Sequence, residues 1–132
     1  MMQKSADTRI VYIRFHKSID ALLTEFSQKT GMKRATAAVW IRRRYIEKLL
    51  SSVPSIADIT RDSLALSGEE EAYFVALGRS SSGSALGRGM QLTVEKAEER
   101  TMQLLAMQTE LSERDLHTVM LVQYFKEIGM IS

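Results

Sequence analysis

The sequence predicts a mainly α protein in two parts: one strand and two helices over residues 9–53, then a helical module over 54–132. Three features predict it. Arg9-Ile10-Val11-Tyr12-Ile13-Arg14-Phe15 is dense in β-branched and aromatic residues, which favours a short strand. The stretches that follow carry apolar residues at helical spacing. The charge is also divided. Residues 1–53 hold eleven Lys and Arg against four Asp and Glu, a net +7, while 54–132 hold seven against twelve, a net −5, together the +2 of the chain. The division falls in Ser51-Ser52-Val53-Pro54-Ser55, a small polar run around the single proline, which reads as a domain boundary.

Residues 1–8 are polar and unpatterned and read as a flexible arm. In the strand, Val11, Ile13 and Phe15 share one face and the more polar Ile10, Tyr12 and Arg14 the other, so the first face is expected to meet the core. A helix over 17–30 follows from the stripe Ile19, Leu22, Leu23 and Phe26, with Gly31 as its stop. A second helix over 34–51 aligns Ala38, Ile41, Tyr45, Ile46, Leu49 and Leu50. Arg42, Arg43 and Arg44 must splay around it, either towards phosphate or into solvated ion pairs. Trp40 reads as a packing residue and His16 as a surface turn residue.

The tail reads as helical throughout. Ser67-Gly68-Glu69-Glu70 has capping-box spacing and opens a helix with Tyr73, Phe74, Val75 and Leu77, which Gly78 would end. Residues 79–89 hold four Ser and three Gly and read as a mobile connection. A helix over 90–110 aligns Val94, Ala97, Thr101, Leu104 and Leu105. Ser112-Glu113-Arg114-Asp115 is a second box, opening a last helix with Leu116, Val119, Met120, Phe125 and Ile128. No internal repeat is evident.

Composition narrows the chemistry. With no cysteine there are no disulfides, thiolate nucleophiles or Cys-based zinc sites. The polar start lacks a signal peptide's apolar core, and no apolar run is long enough to span a bilayer, so a cytoplasmic protein is expected. His117 has no ligand-like companions, Glu69/Glu70/Glu71 and Glu98/Glu99 read as solvated helix faces, and Gly87-Arg88-Gly89 lacks the lysine-serine pair of a phosphate loop. No nucleophile stands with a base and an orienting group, so no catalytic residue, metal or cofactor is expected.

A lone strand leaves both edges unpaired, and some forty-five residues bury too little apolar surface to stand alone. Two copies would remedy both deficits by pairing their strands as an antiparallel ribbon over a shared core. The run RIVYIRFHKSIDALLTEFSQKTGMKRATAAVWIRRRYIEKLL, within about residues 8–50, resembles in order and spacing the Arc-like ribbon-helix-helix family of DNA-binding proteins. The resemblance implies a homodimer through the N-terminal strand, with Ile10, Tyr12 and Arg14 facing base edges in the major groove. It makes Arg14 the candidate for a specific guanine contact. It also implies that the start of the second helix, with Lys33, Arg34 and Thr36, meets the DNA backbone. Lys33 departs from the pattern by standing where a capping Ser or Thr is common.

The function expected on this basis is sequence-specific binding of double-stranded DNA, as a transcriptional repressor or regulator. The alternatives are an accessory DNA-binding protein of a plasmid conjugation (relaxosome) or partition complex, and the antitoxin of a toxin–antitoxin pair. The acidic tail is expected to join dimers into tetramers or to dock a protein partner. A cut at Pro54 should then separate a DNA-binding head from a self-associating tail.

Overall fold

Apolar alternation occurs twice in the chain, at Val11, Ile13, Phe15 and again at Met90, Leu92, Val94, and each run forms a strand. The computed structural model describes residues 7–79 and 85–131. β1 (Thr8–His16), α1 (Lys17–Thr30) and α2 (Arg34–Ser51) come first. Two single-turn helical segments (Ile56–Asp58 and Arg61–Leu64) and α3 (Gly68–Arg79) lead to β2 (Leu86–Glu95), α4 (Lys96–Thr109) and α5 (Glu113–Glu127).

This corrects the expected fold class, an N-terminal dimeric ribbon-helix-helix unit followed by a helical module. The second half is itself strand–helix–helix, and β1 and β2 pair antiparallel within one chain. The partner strand sought in a second copy is therefore β2. Residues 86–89 belong to that strand and not to a mobile connection, and 90–95 are extended rather than helical. Residues 80–84 of that connection and 1–6 of the expected arm lie outside the described residues; Thr8 is already in β1. The helical reading failed here because Val94, Ala97 and Thr101 fit a 3.6-residue period across the junction. The alternation of Met90, Leu92 and Val94 inward with Gln91, Thr93 and Glu95 outward is the stronger signal once a partner strand exists. Glu95 then caps α4, trading backbone bonds with Glu98.

One offset relates the halves. Lys17 opens α1 and Lys96, 79 residues on, opens α4; the same step carries Thr30 to Thr109, Lys33 to Ser112 and Arg34 to Glu113 at the next boundaries. Even the left-handed residue that ends the first helix recurs, as Gly31 (φ 80°) and Glu110 (φ 60°). Leu23/Met102, Phe26/Leu105 and Ile41/Met120 are buried in both copies. In the ribbon, Tyr12 stands opposite Gln91, its own counterpart, so the pseudo-two-fold axis passes through that pair. No repeat is visible in the sequence because identical counterparts are few; among the described residues they are Arg9/Arg88, Lys17/Lys96, Thr30/Thr109 and Tyr45/Tyr124.

The axis continues into the core, where α2 and α5 pack together. His117 fills the space beside its counterpart Ala38, with Nε2 3.0 Å from the Ala38 carbonyl oxygen and its ring edge-on to Phe15 at 5.1 Å. Burial, and then the nearby Arg42 charge, push the His117 imidazole down to about 3. Phe15, Ile19, Leu23 and Phe26 from the first unit share one cluster with Met90, Leu92, Val94 and Phe125 from the second. Trp40 packs there too, stacked on Phe26 and edge-on to Tyr124. His16 is likewise buried rather than at the surface, within 2.9 Å of the Leu77 carbonyl oxygen.

Candidate nucleic-acid interface

Because directly opposed residues of an antiparallel pair point to the same side, the outer face of the ribbon is composed of two non-identical rows. β1 contributes Ile10, Tyr12 and Arg14, and β2 contributes Thr93, Gln91 and Gly89 opposite them. Ile10 is 67% and Tyr12 66% exposed, an unusual display of large apolar surface on a face whose other side is core. The Tyr12 ring lies across Gly89, and a side chain there would make the ring swing aside. Gln91 and Thr93 are exposed. They are the residues that sequence reading missed, and the Met90-Leu92-Val94 alternation was the signal that could have found them.

Arg14 is placed differently from a free base reader. Its Nε donates to the Gly87 carbonyl at 2.9 Å and a terminal nitrogen to Leu86 at 3.4 Å, so the guanidinium ties β1 to the start of β2.

At that end of the ribbon stands the start of α2. A Cβ on Gly87 would come within 2.7 Å of Cβ of Asp20, and Asp20 is ion-paired with Arg34. Lys33 is the N-cap, extended at ψ 152° and without a side-chain cap bond; it and Thr36 are exposed. The structure thus brings Arg14, Lys33, Arg34 and Thr36 to one end, with Tyr12 at the ribbon's centre and Ile10 beyond it. Arg88, also exposed, adds a cation at the same end.

The opposite end is built from the counterparts and is the more acidic of the two. Where Asp20 meets Arg34, Glu99 meets Glu113. Burial, with the hydrogen bond and charge of Glu113, pushes the Glu99 carboxyl up to about 7 despite Arg42 and Arg9 nearby. Arg42 is itself buried, 3.8 Å from Glu99 and not hydrogen-bonded to it, where its counterpart is Leu121. Arg43 is ion-paired with Glu98, and Arg44 lies over the Trp40 ring at 4.8 Å. The helix start there is Ser112, whose hydroxyl accepts from the Asp115 amide, followed by Glu113 and Asp115.

Compared with known proteins, the chain matches no family model, no curated protein and no solved structure. Its own geometry must carry the reading. Among the described residues no cluster of His, Asp and Glu could hold a metal ion, and no helix is long and apolar enough to cross a membrane.

Proposed function

We propose that this chain is a sequence-specific double-stranded DNA-binding protein, a transcriptional repressor or regulator, that lays its β1–β2 ribbon in the major groove. The observation that carries the reading is the ribbon's outer face. It is a two-stranded antiparallel element of a width the groove admits, backed by core and presenting Tyr12, Ile10, Gln91 and Thr93 outward. Gln91 has the amide that pairs bidentately with adenine, Thr93 and Ile10 suit a thymine methyl, and Tyr12 offers a ring and a hydroxyl. Lys33 and the amides of the first turn of α2 supply the backbone anchor. In a two-chain ribbon-helix-helix protein the second strand comes from a partner; here one chain supplies both.

The test is binding of fluorescent duplexes drawn from a random-sequence pool, read by anisotropy against salt. Replacing Tyr12 and Gln91 together by Ala should erase discrimination between selected and random duplexes, since one good bidentate base contact alone is worth ~1–3 kcal/mol. The weak, salt-dependent binding common to all sequences should persist. Lys33→Gln should do the reverse, weakening every duplex alike and flattening the plot of log affinity against log salt by about one unit. An unchanged preference in the first variant would remove the ribbon from the interface.

A further inference from the structure

Resting on the DNA reading above, we infer that the chain recognises a directional, non-palindromic duplex site and grips the DNA backbone at only one end of its ribbon. Two-fold DNA-binding proteins read palindromes because their operators mirror the protein's symmetry. Here the backbone keeps the two-fold, with Tyr12 opposite its counterpart Gln91, while the side chains break it. Ile10, Tyr12 and Arg14 correspond to Gly89, Gln91 and Thr93, so no position on the ribbon's outer face is matched by the same chemistry on the other half. Two unlike rows cannot both prefer the same half-site sequence.

The flanks differ in the same direction. At the end where β2 begins, Lys33, Arg34 and Arg88 stand with one acid, Asp20. At the end where β1 begins, five acids, Glu95, Glu98, Glu99, Glu113 and Asp115, stand with five cations, Arg9, Lys96, Arg42, Arg43 and Arg114. That end has no net excess of positive charge, whereas Lys17, counterpart of Lys96, adds to the excess at the first. An α5 first turn already capped by Ser112, with Glu113 and Asp115 outweighing Arg114, disfavours a phosphate where the uncapped, basic α2 first turn attracts one. The ribbon therefore enters the groove in one orientation, its basic end against a phosphate strand.

The counterpart relation supplies the test. Glu113 stands where the first unit has Arg34, and Glu99 where it has Asp20. Glu113→Arg places a cation against Glu99, recreating the Asp20–Arg34 pair, and puts positive charge at the second flank. Duplexes selected from a random-sequence pool by the native chain should lack dyad symmetry, and phosphate ethylation should interfere on one flank only. With Glu113→Arg, interference should appear on the other flank as well, and the salt slope should steepen by about one unit. Asp115→Lys, in the same turn, should shift the slope the same way and guards against a local distortion in the first variant. Palindromic selected sites with interference balanced on both flanks, or slopes unmoved in both variants, would overturn the one-sided grip and leave the DNA reading standing. Failure of the native chain to enrich or retain any duplex even at low salt would overturn the DNA reading itself.

Discussion

Cleaving the backbone at Pro54 is expected to unfold both halves rather than to release two working modules. The fragment 1–53 would retain β1, α1 and α2 but lose Met90, Leu92, Val94, Leu121, Val122 and Phe125 from the shared core. Burying each such side chain is worth roughly 1.5–3 kcal/mol, so together they rival the ~5–15 kcal/mol that hold a whole domain. Self-pairing of β1 is a poor substitute. It would set Ala38 against Ala38 where His117 now fills the space and packs on Phe15, and it would bring two +7 fragments together. Light scattering and circular dichroism provide the check. The intact chain should unfold in one cooperative transition with β1 already paired internally, and fragment 1–53 should be monomeric, weakly helical and without a transition. A folded, DNA-binding dimer of 1–53 would show that the first unit carries its own core, contrary to the shared cluster.

The second large effect is on the pH dependence of stability, where two buried groups oppose each other. The His117 imidazole is held down at about 3 against an ordinary 6.5, so between these values the unfolded chain binds a proton that the folded chain refuses. Stability due to His117 is whole above pH 6.5 and is lost as pH falls below it. Glu99 has the opposite sign. Its carboxyl is pushed up to about 7 from 4.5, so in that window the folded chain holds the extra proton and stability declines as pH rises. Between about pH 4.5 and 6.5 the two slopes cancel in large part, and the native protein should show a nearly level urea midpoint there. Glu99→Gln removes the falling contribution. Its stability should climb from pH 4.5 to 6.5 with a slope of up to about 1.4 kcal/mol per pH unit, the limit for one proton. Parallel midpoint curves for the two proteins would place the Glu99 proton elsewhere. Glu98, held below its usual range chiefly by its hydrogen bond from Arg43, adds an acid loss below 4.5 and leaves this window untouched.

These expectations depend on pairs of residues that lie far apart in the chain, and this marks how much was legible without the structure. Local signals placed α1 and α2 at their observed bounds, with Gly31 as the stop, because each needs only neighbours three and four residues away. The same holds for the Ser67 box, where the Glu70 amide donates to Ser67 and the Ser67 amide to Glu70. The split of the β1 run into an inner and an outer face also followed from period two alone.

What the tertiary structure decided is the identity of the partner. A strand's need for a second strand is written into its unpaired edges, but which strand satisfies it is a long-range contact with no local code. In this chain the answer lay 79 residues on, in a run with two glycines and few β-branched residues, and reading it as loop and helix left a second copy as the only candidate. Gly87 and Gly89 look like breakers in one dimension; in three, Gly87 is a packing requirement against Asp20 and Gly89 is the bed on which the Tyr12 ring lies. Arg14, Arg34 and Arg42, alike as cations in the sequence, become a tie across the ribbon, an ion pair and a buried charge. Sequence patterning fixes which faces are apolar, since that depends on each segment's own period. The burial of one segment's face against another's fixes the pairing, the charge at each ribbon end and the proton held on Glu99, since those depend on what the rest of the chain brings near.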